Sequence, residues 1–198
     1  MTMTRNILFS ALALLLAACA IPAKSIKLYR LTPLADNPVE TSTSMVVAVE
    51  RLQAPAALDT PRIALTCYAI DFDYFAGPEW VDNAPAMLQR LIIESLDGSN
   101  GMVAIDAHGT TAIPDERLRL DLRTFQAEYG KDREAPTAHV RLSVKRLDPK
   151  TMAILDSRTF DARIPASANT QRAIVEAFNS ATTEVLDNLR NFATLKTP

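Results

Sequence analysis

The segment "AHVRLSVKRLDPK", residues 138–150, decides the fold because its side chains alternate with a period of two. From Ala138 to Lys145 every second residue is apolar, and the residues between are His, Arg, Ser and Lys. Such alternation is typical of a strand with one face in the core. "DPK" (148–150) has turn-forming residues, and the alternation resumes in "ILDSRTFDARI" (154–164). These residues predict a β-hairpin.

The preceding segment, "RLRLDLRTFQAEY" (117–129), extends this pattern to a third strand. Its leucines alternate with charged residues as far as Leu122, and the next apolar set, from Phe125, is out of phase by one residue. One extra residue in a strand produces such a slip, so we predict a β-bulge near Thr124. The chain from 117 to 164 is therefore predicted to form a three-stranded meander.

Two amphipathic helices are predicted. The longer covers about 170–193, begins at Asn169 or Thr170, and has apolar residues at alternating spacings of three and four. The shorter begins after Asp82 or Asn83, has Pro85 in its first turn and ends near Gly98. The apolar stripe of the longer helix comprises Ile174, Phe178, Ala181, Val185, Leu189 and Phe192.

The remaining segments are predicted to complete an α+β domain. It has a largely antiparallel sheet with a C-terminal β-meander and two amphipathic helices packed on one face. Residues 54–66 hold two prolines and are expected at an edge or in a crossover, and "AGPEW" (76–80) is expected to form a turn. The other expected strands are 27–33, 45–53, 67–75 and 102–106.

The N-terminus has the pattern of an export signal. Arg5 precedes an uncharged apolar run, residues 7–16, which is followed by small residues. The run is too short to span a bilayer, which needs about 20 apolar residues. We therefore predict a signal peptide over 1–18, a short tether over 19–26 and one globular domain over 27–198.

Leu16-Ala17-Ala18-Cys19 resembles the bacterial lipobox. The resemblance implies that Cys19 carries acyl chains such as palmitate and becomes the first residue of the mature protein. Two or more chains give stable anchoring. Ala20 replaces the aspartate that is associated with inner-membrane retention, so we expect attachment to the periplasmic face of the outer membrane.

Charge and cysteine content exclude some classes of function. The chain has 21 Lys and Arg against 23 Asp and Glu, without a basic run, so nucleic acid is not an expected partner. With Cys19 lipidated, Cys67 remains alone, and the domain must fold without an internal disulfide. We expect Cys67 to be a buried, inert thiol.

The sequence offers little catalytic chemistry, and we predict a non-enzyme without metal or cofactor. His108 and His139 are 31 residues apart and lack metal-ligand spacing. Asp71, Asp73, Glu79 and Asp82 form the one carboxylate cluster to consider, and a solvated strand face with a helix cap explains them better than a cation site.

One row of basic residues also has two interpretations. The row could face anionic lipid headgroups. We favour the alternative that it lies on an outer sheet face, where Asp121 and Glu128 pair with the basic side chains. The row comprises Arg117, Arg119, Arg123, Arg141 and Lys145.

The stretches "FAGPEWVDNAPAMLQRLIIESL" (75–96) and "LRLDLRTFQAEY" (118–129), with "LYRLTP", "LDTPRIAL" and the lipobox, resemble the ABC-type transport auxiliary lipoproteins, the PqiC-like family. The resemblance implies a non-enzymatic, outer-membrane-anchored partner of MCE-type lipid transport systems. It also implies docking to or capping of the MCE protein, with a homo-oligomer as one arrangement.

Trp80, with Pro78 and Tyr29, is our candidate interface because Trp is enriched at binding hot spots. The alternative is that Trp80 fastens the start of the shorter helix. Two other functions stay open: a stand-alone lipid-binding lipoprotein with its own apolar cavity, and an envelope hydrolase that uses the four carboxylates.

Overall fold

A computed structural model describes residues 26–34, 45–97, 99–108, 111–132 and 134–194. The predicted signal peptide and the lipobox with Cys19 lie outside these residues. The two helices are α1 (Ala84–Leu96) and α2 (Gln171–Ala193), with a short 3-10 turn at Ser99–Gly101. The strands are β1 (Lys27–Tyr29), β2 (Met45–Val49), β3 (Arg62–Cys67), β4 (Asp71–Trp80), β5 (Met102–Asp106), β6 (Glu116–Tyr129), β7 (Thr137–Leu147) and β8 (Ile154–Pro165).

The long strand β6 organises the sheet. Along one edge it pairs with β7 in antiparallel fashion, and β7 pairs with β8. Along its other edge, the start of β6 pairs with β2 and its end pairs with β3, both in parallel. Strand β5 extends the β2 branch, while β4 and β1 extend the β3 branch. The α+β class is confirmed, and the sheet is mixed because β1–β4 and β2–β5 are also parallel.

The meander and its bulge are confirmed. Leu122 lies opposite Leu142, while Thr124 lies opposite Arg141, so Arg123 is the extra residue in β6. The bulge lets Leu122 and Phe125 both face the core, where each is 1% exposed.

The expectation for residues 67–80 is wrong in two places. Residues 67–75 are not one strand, because β3 ends at Cys67 and a turn over 68–70 leads into β4. "AGPEW" is not a turn but the end of β4. Its Gly-Pro pair lies in an irregularity of the pairing instead. The five residue steps of β4 from Tyr74 to Glu79 lie opposite only two residue steps of β3, and Gly77 has a φ of 106°.

Both helices begin as predicted and cover one hydrophobic core. The Thr170 side chain accepts a hydrogen bond from the Ala173 backbone N–H at the start of α2, and Asn83 is the N-cap residue of α1. The whole predicted stripe of α2 is buried. At the centre, the ring of Phe125 lies 5.4 Å from that of Trp80 and 4.9 Å from that of Phe178.

The sheet has two ends, which differ in the turns they hold. The hairpin end holds the β3–β4 turn, and the far end holds the β7–β8 turn and residues 111–115, which precede β6. Asp115 donates its backbone N–H to the carbonyl of Val46 at the start of β2, which places residues 111–115 at the far end. Within the described residues, neither helix combines the length and apolarity that a bilayer-crossing segment requires.

Candidate functional site

The outer face of the meander carries an ion-pair network around His139, which is 4% exposed. Its Nδ1 lies 2.7 Å from Glu128 Oε1 and its Nε2 lies 3.1 Å from Asp161 Oδ1. Arg163 also donates to Glu128. Burial alone would raise the pKa of Glu128, but the hydrogen bond and charge of His139, with the charge of Arg163, hold that pKa below its ordinary value. The imidazole therefore ties β6, β7 and β8 together.

The basic row on this face is largely paired with carboxylates. Arg117 Nε lies 3.1 Å and Arg119 Nε lies 3.0 Å from the two oxygens of Glu50, and Arg123 pairs with Asp121 at 3.2 Å. Asp121 thus pairs with the row as the favoured interpretation predicts, whereas Glu128 pairs with His139 and Arg163, which lie outside the row. Glu50 was missed, because the sequence does not show that β2 lies beside β6. The pairing supports an architectural role for these arginines.

The four candidate carboxylates do not converge on one site. Asp71 and Asp73 line a surface depression of about 430 Å³ with Cys67 and Tyr129. Burial and the nearby Cys67 raise the pKa of Tyr129. Among the residues that the structure describes, no three His, Cys, Asp or Glu side chains are grouped to hold a metal ion. Asp82 instead pairs with Arg90, and Glu79 lies opposite Leu28 on β1.

The three candidate interface residues lie mostly inside the protein. Trp80 is 1% exposed and packs against Phe125 and Phe178, Pro78 is buried, and Tyr29 is half-buried. The structure therefore favours a core role for Trp80 over direct contact with a partner.

Most of the exposed large apolar side chains instead lie at the two ends of the sheet, and the others, Ile26, Leu28 and Val81, lie on or beside β1. The hairpin end presents Tyr68, Ile70 and Phe72, and Ile70 is 85% exposed. We missed this group because residues 67–75 have the composition of a single strand. The far end presents Ile113, Met152, Ile154 and Leu155.

The surface depressions do not resemble a lipid-binding chamber. Four of them have volumes between 410 and 500 Å³, and each includes charged side chains in its lining. The apolar side chains of the described residues pack against one another in a single core instead. This arrangement gives no support to a lipid-binding cavity within the domain.

The fold and these surfaces define a class of α+β protein in which buried polar groups hold strands together and the sheet ends present apolar side chains. The chain belongs to the ABC-type transport auxiliary lipoprotein component family, whose model matches residues 29–189. None of the curated proteins matches the chain.

Solved structures share this fold. Protein XCC0632 from Xanthomonas campestris is 26% identical, with a TM-score of 0.72 over 82% of this chain and 92% of that one. An uncharacterized protein is 10% identical, with a TM-score of 0.68 over 86% and 99% of the two chains. The hypothetical protein CT253 from Chlamydia trachomatis is 9% identical, with a TM-score of 0.50 over 75% and 95%. The last two likenesses concern the fold alone.

Proposed function

We propose that the chain is an outer-membrane-anchored accessory lipoprotein of an MCE-type ABC transport system for lipids or organic solvents. It acts by docking to or capping the periplasmic MCE component, alone or as a homo-oligomer. The observation that carries the proposal is the family match over residues 29–189. The lipobox resemblance at Leu16 to Cys19 supports the anchor.

The dimensions of the chain support a positional mechanism. The tether of residues 20–26 reaches at most about 25 Å, at roughly 3.5 Å per residue. A domain of this size has a radius of gyration of about 16 Å. An anchored domain therefore stays close to its membrane and needs a longer partner to take part in transport across the envelope.

The far end is our candidate docking surface. Ile113 is 85% exposed and Ile154 is 58% exposed there, and exposed apolar groups often mark protein interfaces. The start of β1 faces the opposite end, because β1 is parallel to β4 and β4 starts at the hairpin end. A partner can thus approach the far end while the anchor occupies the other.

Co-purification tests the docking. The tagged protein would be isolated from detergent-solubilised native envelopes, with an unrelated outer-membrane lipoprotein carrying the same tag as the negative control. We expect an MCE subunit in the eluate of the tagged protein alone. Failure to recover one, by a procedure that retains a known weak envelope complex, would argue against the docking role.

The two cysteines provide a matched test of the anchor. We expect Cys19→Ala to release the protein from the outer membrane, and Cys67→Ala to leave it attached. Mass spectrometry of the natural protein should show an acylated N-terminal residue 19 without residues 1–18. An unmodified Cys19 or an uncleaved leader would refute the anchor.

A further inference from the structure

The β3–β4 turn presents a group of large apolar side chains to solvent. Tyr68 is 49%, Ile70 is 85% and Phe72 is 41% exposed, and we call these three residues the hairpin tip. They lie within five consecutive residues that comprise the turn over 68–70 and the start of β4. Scattered exposed apolar residues are ordinary on a protein surface, whereas a contiguous group indicates a contact.

The backbone of this turn is unusual for its residues. Tyr68 has a φ of 54° and Ala69 has a φ of 63°, so both lie in the left-handed region. Hairpin turns that need this conformation are dominated by Gly, Asn and Asp, because a larger side chain is strained there. Strained backbone of this kind clusters at functional sites. Tyr and Ala at these two positions make the turn less stable than Gly or Asn would. Their presence indicates that the side chains matter here more than the stability of the turn.

The direction of the tether relates the hairpin tip to the anchor. Strand β1 is parallel to β4, with Lys27 beside Pro78, so the start of β1 faces Asp71 and the tip. Pro78 lies seven residue steps after Asp71, at most about 23 Å along the strand. Lys27 lies eight residue steps after Cys19, at most about 28 Å. At full extension, the sulfur of Cys19 can therefore reach about as far as the tip.

We propose that the hairpin tip lies in the headgroup region of the bilayer that holds the acyl chains, as a second membrane contact. The inference rests on the proposed function, because it needs Cys19 to be lipidated. The short tether brings the bilayer to the level of the tip whenever the sheet stands upright. Two contacts at the hairpin end then fix the orientation of the domain and point the far end away from the membrane.

The charges beside the tip limit its depth. Asp71 and Asp73 alternate with Phe72 along β4, so they point to the opposite face of the sheet and line the depression near Cys67. Carboxylates are costly to bury in hydrocarbon. Ile70 and Tyr68 therefore enter the interface, while the two carboxylates stay in water.

Fluorescent labels at two matched positions test the proposal. Ile70→Cys and Ile113→Cys would each be made in the full chain with Cys67→Ser, and Ile70 and Ile113 are both 85% exposed. The lipidated proteins would be labelled and reconstituted in vesicles of phosphatidylethanolamine and phosphatidylglycerol. Quenching would be measured with iodide in the buffer and with nitroxide-labelled lipid in the bilayer. Circular dichroism would verify that both variants fold.

We expect iodide quenching to be roughly threefold or more weaker at position 70 than at position 113, because a group about 5–10 Å deep in the interface is shielded from aqueous ions. The nitroxide lipid should quench the label at position 70 alone. Equal quenching at both positions would overturn the proposal. Protection from iodide without quenching by nitroxide lipid would also overturn it, since a second copy or another protein would then cover the tip.

The parent protein with Cys67→Ser alone separates this inference from the proposed function. Its Cys19 is blocked if it is lipidated, so the parent should take up no label. Label found by mass spectrometry on residue 19 would refute the anchor, and the inference with it. A blocked Cys19 together with an iodide-accessible label at position 70 would refute only the membrane contact of the tip.

Discussion

Arg146 and Glu116 form a two-bonded ion pair inside the protein, between the end of β7 and the start of β6. Arg146 Nε lies 2.7 Å from Glu116 Oε2, and its Nη2 lies 2.5 Å from Oε1. Arg146 is 2% exposed, and its guanidinium carbon lies 5.7 Å from the centroid of the Phe192 ring on α2. The pair therefore joins both strands to the last turn of α2 at the far end.

Glu116→Ala should destabilise the protein by about 3–5 kcal/mol, because it leaves the Arg146 charge buried without its carboxylate. Urea unfolding followed by circular dichroism measures this loss. Glu176→Ala is the control, since it removes an exposed ion pair with Arg172 and should leave the unfolding midpoint unchanged. A loss for Glu116→Ala below about 1 kcal/mol would show that the pair is not effectively buried.

The network around His139 should make stability depend on Glu128 in a defined range of pH. The folded-state pKa of Glu128 lies below the ordinary 4.5. The stabilising contribution of its charge is therefore fully present above pH 4.5 and is lost as the pH falls through the folded-state pKa. At pH 5 the difference in unfolding free energy between the natural protein and Glu128→Gln should therefore still include the full contribution of the Glu128 charge. Below pH 4.5 it should shrink. A difference that grew as the pH fell below 4.5 would contradict this assignment.

Trp80 should contribute to stability rather than to docking. Its ring lies 5.4 Å from Phe125 and 5.3 Å from Phe178, between centroids, and Trp80→Ala should cost about 3–5 kcal/mol. The conservative variant Trp80→Phe keeps most of the packing, so it should still recover the MCE partner on co-purification. If Trp80→Phe retained its unfolding free energy but lost the partner, Trp80 would belong to the interface after all.

The sequence predicted those strands and helices that bury one face and expose the other. Strand β7 alternates with a period of two because its apolar face meets α2, and α2 has a single stripe because it meets the sheet. The bulge at Arg123 could also be predicted from the sequence, because the apolar pattern slips by one residue and Phe125 returns to the core face.

The sequence did not predict features that depend on distant segments. The turn over 68–70 lacks the Gly or Asn that marks such turns, so residues 67–75 appeared as one strand. The parallel pairing of β2 with β6 does not change the pattern of apolar residues in either strand. The contacts of Glu50 with Arg117 and Arg119 follow only from that pairing, so the sequence did not predict them. The position of Trp80 in the core likewise follows from packing with α2.

The far end should be the part of the domain that binds the MCE partner. Ile154 and Leu28 are both 58% exposed, but Ile154 lies at the far end and Leu28 lies on the edge strand β1. Each would be changed to Asp, and because both side chains are on the surface, unfolding free energies should stay within about 0.5 kcal/mol of the natural protein.

Ile154→Asp should reduce recovery of the partner about 30-fold, as expected when an interface anchor worth about 2 kcal/mol is replaced by a charge, while Leu28→Asp should leave recovery unchanged. Recovery would be quantified by mass spectrometry of the co-purified MCE subunit, relative to the amount of tagged protein. Loss of the partner with Leu28→Asp alone would move the docking surface to the β1 edge. Equal recovery with both variants would remove the far end from the proposal, because a charge in an apolar contact cannot be accommodated without cost.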